Sequence, residues 1–173
     1  AAKLRAGAVT SRELTEAALA RAHATQSTLN AFKLILDEEA LAAADEADRR
    51  IAAGESTPLL GVPTAIKDDT DLAGHPTAFG CPGEFPPAAE DGAIVKFLRR
   101  DGAVIIGKTN SSELGQTSVT AGPAFGITRN PWNLDHTPGG SSGGTAAAVA
   151  GGVVAAAVGS DGAGSVRIPA GWT

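Results

Sequence analysis

The chain has 173 residues, 43% of them hydrophobic and 19% charged, with a formal net charge of −5. That length suits one domain with a buried core, and the balance excludes disordered and collagen-like classes. With no Lys/Arg cluster beyond Arg49-Arg50 and Arg99-Arg100, the mild acidity also argues against a nucleic-acid surface. Alanine and glycine fill 57 of the 173 positions, so the core must pack backbone against backbone and gains little apolar area per residue. The extreme is Gly139–Gly171, where ten of 33 residues are glycine and only Asp161 and Arg167 are charged.

A single cysteine, Cys81, excludes a disulfide framework and a cysteine-based zinc site within the chain. The three histidines, His23, His75 and His136, share no ligand spacing and read as surface or loop residues. No signal peptide opens the chain. The uncharged stretch Thr137–Ser160 is too rich in Gly and Ser to span a bilayer. The expected location is therefore cytoplasmic, with no membrane span.

In chain order, Thr10-Ser11-Arg12-Glu13 is a capping box that opens a helix to about Thr25, with Leu14, Ala17, Ala18 and Ala22 inward. Ala31–Leu36 suits a short strand. A second amphipathic helix is predicted from Asp37 to Ala53, ending at Gly54. Gly61–Lys67 reads as an apolar strand that ends in a lysine. Asp91–Arg100 is a third helix, with Ala93, Ile94, Phe97 and Leu98 inward. Ala103–Ile106 is a buried strand. Asn110–Asp135 is mostly loop, Gly144–Ala150 a short small-residue helix, and Val153–Val158 another buried strand. This alternation predicts an α/β fold with a mixed or parallel sheet, the helical residues 1–57 lying outside it.

Two motif matches fail on context. Gly102–Thr109 (GAVIIGKT) fits the phosphate-loop pattern, but a helix precedes it and AVII between its glycines favours strand, which cannot cradle a phosphate. Gly140–Gly144 (GSSGG) fits a nucleophile elbow centred on Ser142, yet no strand precedes it and no histidine follows His136. The sequon at Asn110-Ser111-Ser112 lacks a secretory signal.

A more productive set is Lys67, the Ser141-Ser142 pair and Ser165. Acyl transfer without histidine requires a lysine that can give up its proton once removed from water, a hydroxyl to relay protons, another to attack, and converging N–H groups.

These residues resemble the amidase signature family of serine hydrolases. The similarity runs through Gly61–Asp69, Gly107–Asn110, Thr128–Trp132, Gly139–Gly144, Gly159–Asp161 and Gly164–Ala170, with Ser141 and Ser165 spaced 24 apart as in that family. The resemblance implies a mixed central sheet flanked by helices and a Ser–cis-Ser–Lys triad. Ser165 is then the nucleophile, Ser141 the bridging serine on a cis peptide, and neutral Lys67 the base. Ser141 would pass the Ser165 proton to Lys67 and return it to the leaving amine. Asp68 and Asp69 bear on this only if their carboxylates reach the amine, and on a strand Asp68 points to the opposite face.

Gly162, Ala163 and Gly164 would offer N–H groups to the oxyanion, each donor worth about 2.7–4 kcal/mol of barrier. Most members have Thr-Gly-Gly there, and the Ala163 methyl restricts the backbone and crowds the acyl group. Ser142, Asp161 and Arg167 are supporting residues, Arg167 pairing with Asp161 or, alternatively, binding a substrate carboxylate. The expected activity is hydrolysis of the C–N bond of linear amides through an acyl-enzyme. No metal or organic cofactor is implied. The partner expected is a small-molecule amide, with a homo-oligomer left open. Members continue well past the position of Thr173, so the expectation is an N-terminal portion of one domain, with 1–57 as outer layer and 58–173 as catalytic segment. The alternatives are an amidotransferase subunit releasing ammonia to a partner, or an inactive truncated fragment.

Overall fold

A computed structural model describes all residues, 1–173. Short α1 (Ala2–Arg5) precedes α2 (Ser11–Leu29), which starts at the predicted capping box. The Glu13 N–H donates to Thr10 Oγ1 at 3.0 Å and the Thr10 N–H to Glu13 Oε2 at 2.8 Å. These bonds, the backbone N–H of Thr10 first, hold the Glu13 carboxyl below its ordinary range. After β1 (Phe32–Ile35), α3 (Asp37–Ala52) ends before Gly54, whose φ is +87°. Then follow β2 (Pro63–Lys67), α4 (Ala93–Arg100) and β3 (Val104–Thr109). A small hairpin of β4 (Ala121–Gly122) and β5 (Gly126–Ile127), then α5 (Gly143–Ala150) and α6 (Arg167–Trp172), complete the chain. No helix is long and apolar enough to cross a membrane.

The main sheet is mixed, in the order β1-β3-β2, with β1 antiparallel and β2 parallel to β3. All six residues of central β3 are buried, and their alternation divides the core. Val104 and Ile106 face an alanine-rich cluster with Ala18, Ala22, Ala40, Ala44 and Ala147 from α2, α3 and α5. Ile105 faces the opposite side, with Val95 and Leu98 of α4. Gly107 lies in β3 because β1 presses on it: a side chain there would run into the Leu34 carbonyl, where the β1–β3 register shifts.

Three sequence expectations need correction. Val153–Val158 forms no strand; it touches the sheet only through Val158, whose N–H donates to the Ala65 carbonyl at 2.8 Å and whose carbonyl accepts from the Lys67 N–H at 3.0 Å. Consecutive Val153 and Val154 are buried in one apolar cluster, which the alternation of a strand forbids. On α4 the inward stripe is Val95 and Leu98, leaving Ile94 and Phe97 exposed. On α2, Thr15 and Leu19 go inward, Leu14 is half-buried and Ala17 exposed. The GAVIIGKT string is strand through Thr109, without the second turn expected at Gly107, and its Lys108 is buried.

Candidate active site

Lys67 ends β2 at the sheet's C-terminal edge, where the following residues turn away and leave its amine facing a cavity. The side chain is only 2% exposed. Its Nζ lies 2.7 Å from Ser141 Oγ and 2.8 Å from Ser160 Oγ. Asp69 completes the set: one carboxylate oxygen is 3.2 Å from Nζ and accepts a hydrogen bond from the Ser160 hydroxyl. The expectation that neighbouring carboxylates stay clear of the amine therefore fails for Asp69 and holds for Asp68. The Asp68 side chain points away, to an ion pair with buried Lys108 at 3.0 Å. Lys108 also donates to the Pro76 carbonyl at 2.7 Å and to Thr77 Oγ1 at 2.9 Å.

Ser141 and Ser142 immediately precede α5, and the Gly140–Ser141 peptide is cis. Small residues let this turn sink into the molecule. A Cβ at Gly144 would lie 2.5 Å from the Ala31 carbonyl oxygen and 2.6 Å from that of Asn110. Polar side chains then clamp the turn from below. Thr120 Oγ1 accepts from the Gly143 N–H at 3.0 Å and donates to the Gly139 carbonyl at 2.9 Å. The Ser112 N–H reaches the Ser141 carbonyl at 3.3 Å, and the Asn110 carbonyl accepts from the Gly144 N–H at 3.1 Å.

Ser165 is half-buried on the loop before α6 and lines the same cavity of about 390 Å³ as Lys67, Asp69, Ser141 and Ser160. Its carbonyl accepts from the Ser142 N–H at 3.1 Å, tying the two serine-bearing loops together through the backbone. Its hydroxyl makes no hydrogen bond to Ser141, so Lys67 and Ser141 are linked directly while Ser165 shares only the cavity. Ser142 turns its own hydroxyl to the Ser160 carbonyl at 3.2 Å.

Asp161 organises the loop that carries Ser165. Its carboxylate accepts from the Gly164 N–H at 2.7 Å and from the Val166 and Arg167 N–H groups at 3.1 Å each. It also receives the Arg167 guanidinium through Nε at 3.0 Å and Nη2 at 2.9 Å. These donors, Arg167 foremost, hold the Asp161 carboxyl far below the usual carboxylate range. Arg167 thus takes the structural pairing anticipated for it. Gly164 is a correction: the amide expected to face an oxyanion is spent on Asp161. The Gly162 and Ala163 amides remain without partners in the chain beside the cavity, as does the amide of Ser165 itself.

Sequence reasoning missed Asp69, Ser160, Asn110 and Thr120. Period-2 alternation from Lys67 already points to Asp69, and Ser160 lies within the matching Gly159-Ser160-Asp161 segment. Asn110 and Thr120 act through loop geometry, which leaves no periodic signal. No group of three or more His, Cys, Asp or Glu side chains comes together anywhere.

Comparison with known proteins gives one answer. The pattern of the Amidase family matches residues 13–173. AmiA2 of Mycobacterium tuberculosis, named as an amidase, is 60% identical over 166 residues, covering 96% of this chain and 34% of that protein. The amidase-like component of the glutamyl-tRNA(Gln) amidotransferase of Geobacter sulfurreducens is 50% identical over 170 residues, covering 97% of this chain and 35% of its own length. Among solved structures, the peptide amidase of Stenotrophomonas maltophilia superposes with a TM-score of 0.90 at 36% identity, over 98% of this chain and 36% of that one. A further amidase crystal structure gives a TM-score of 0.91 at 38% identity, over 98% of this chain and 39% of that chain. The chain thus spans about a third of the length of the curated relatives it matches.

Proposed function

Because the chain belongs to the amidase signature family, we propose that it carries the catalytic core of an amide hydrolase working through an acyl-enzyme on Ser165. The observation that carries this reading is the buried Lys67–Ser141 contact of 2.7 Å opening onto the cavity that Ser165 lines. Ser165 Oγ attacks the carbonyl carbon. Its proton passes to Ser141 Oγ while the Ser141 proton passes to neutral Lys67. The Asp69 carboxylate stands beside the amine as it becomes charged.

The negative oxygen of the tetrahedral adduct is met by the free amides of Gly162, Ala163 and Ser165. Collapse breaks the C–N bond, and the proton returns through Ser141 to the leaving nitrogen. Water then adds to the acyl-enzyme by the same relay, releasing the acid and restoring Ser165. Ser160, held between Lys67 and Asp69, fixes the amine's direction, and Ser142 and Asp161 hold the two loops in register.

Labelling with a fluorophosphonate probe, read by intact mass, tests the assignment. One adduct is expected on the 173-residue chain, absent in Ser165→Ala and slowed at least a hundredfold in Lys67→Ala, as order-of-magnitude losses on the scale of positioned proton transfer. An adduct that persists in Ser165→Ala would overturn the nucleophile. No adduct at all would favour an inactive truncated fragment. A second reading, an amidotransferase component, draws on the 50% identity to the Geobacter sulfurreducens protein. Ammonia released to solution by the chain alone would favour the hydrolase, and release only with an added partner the amidotransferase.

A further inference from the structure

The mouth of the cavity carries two side chains that the proton relay does not use. Phe79 and Leu114 line it together with Lys67, Ser141 and Ser165. Both are large, apolar and water-facing, 43% and 60% exposed. Both also hold left-handed backbone, with φ of +52° and +49°. Only one other non-glycine residue does so, Asn30, which is the C-cap of α2 and of a type common in that role. For leucine and phenylalanine the conformation is disfavoured, and glycine would adopt it freely. The two are joined directly, the Leu114 N–H donating to the Phe79 carbonyl at 2.8 Å. Two apolar residues thus sit in disfavoured backbone and in water, at the rim of an otherwise polar reaction cavity. Such outliers persist where the side chain's position serves the site.

Their position also indicates which end of a substrate they meet. Gly115, next to Leu114, faces the bridging serine: a Cβ there would lie 3.5 Å from Ser141 Oγ. The same turn is bonded to Ser141 through the Ser112 N–H at 3.3 Å. In the mechanism proposed above, on which this step rests, Ser141 returns the proton to the leaving nitrogen. Leu114 therefore stands beside the nitrogen arm of a bound amide.

We infer that Phe79 and Leu114 form an apolar clamp for the amine-side substituent, selecting secondary amides whose nitrogen carries an aliphatic or aromatic group. The test separates binding from turnover. In the Ser165→Ala chain, dissociation constants are measured by NMR titration for N-methyl- to N-butylacetamide and, in parallel, for acetamide to pentanamide. Affinity is expected to rise about fourfold per methylene in the N-alkyl series and to stay flat in the acyl series. Leu114→Gly and Phe79→Ala should each flatten the N-alkyl series to less than twofold per methylene. Leu114→Gly should also keep or raise the thermal midpoint, because it removes the disfavoured conformation. A gain confined to the acyl series, no gain in either, or an N-alkyl gain unchanged in Leu114→Gly, overturns the clamp. If the wild-type chain never labels at Ser165, the hydrolase reading falls, and the N-alkyl series in Ser165→Ala still decides the clamp.

Discussion

In the layer where α2 and α3 meet the sheet, the buried positions are chiefly Ala18, Ala22, Ala40 and Ala44, and the elements are long regular helices. Between β3 and the end of α5 the buried positions include Asn110, Ser112, Thr120, Thr128, Ser141 and Ser142, and most of the chain is loop. The first region is held by close contact between small apolar faces, and nearly all its backbone bonds are internal to helices. The second is held by side chains that satisfy other residues' backbone, as Thr120 does for Gly139 and Gly143 and Asn110 for Asn30. Small residues serve both regions differently. On the helices they bring apolar surfaces together, and in the loops they let polar groups converge on one cavity.

Changes placed in each region, or at the seam between them, test this contrast. The largest effect is expected at the seam. Gly144→Ala puts a methyl 2.5 Å from the Ala31 carbonyl oxygen and should cost about 3 kcal/mol or more by denaturant unfolding. A loss below about 1 kcal/mol would mean that the loops yield more readily than their bonding suggests. Next comes Thr120→Val, nearly isosteric, which leaves the Gly143 N–H and Gly139 carbonyl without partners. It should cost about 1–3 kcal/mol and, unlike a helical-layer change, should also slow probe labelling of the folded protein.

A smaller effect belongs to the helical layer. Thr10→Ala removes the cap of α2 and should cost about 1 kcal/mol with no change in labelling rate. A matching drop in labelling would show that the two regions are coupled. The smallest effect is a shift along the pH axis. The folded carboxyl of Asp161 lies far below its unfolded value, so its contribution is complete above about pH 4. That contribution is lost only as pH falls through the lowered folded value. The Gly164 amide should therefore stay protected from exchange at pH 4 and lose protection only in stronger acid, and loss of protection at pH 4 would contradict the bonding described.

What could be read from sequence follows the same division. The capping box of α2, the end of α3 before Gly54, and β2 running out at Lys67 are local patterns, and each forms as written. The α4 face was ambiguous for a physical reason: Ile94 and Phe97 have the same i, i+3 spacing as Val95 and Leu98, and only the sheet beneath decides which pair is buried. In the loops, motif spacing brought Lys67 and Ser141 into contact and Ser165 into their cavity. It could not say that the Gly164 amide is consumed by Asp161, or that Asp69 and Ser160 close around the amine. Those outcomes depend on loop paths that no periodicity encodes.

Lys108 and Asp68 carry a consequence for how this sequence can drift. They pair at 3.0 Å with side chains 1% and 2% exposed, and the second oxygen of Asp68 has no partner. Loss of either residue alone strands a buried charge, which typically costs about 3–5 kcal/mol. Joint replacement by apolar residues of similar size avoids that cost. The two positions therefore form a mutational ratchet: single-step paths are closed and paired steps are open. Asp68 lies between Lys67 and Asp69, so a one-sided loss would disturb the segment that aims the amine, and the evolution of a buried strand pair is tied to that of the reaction site.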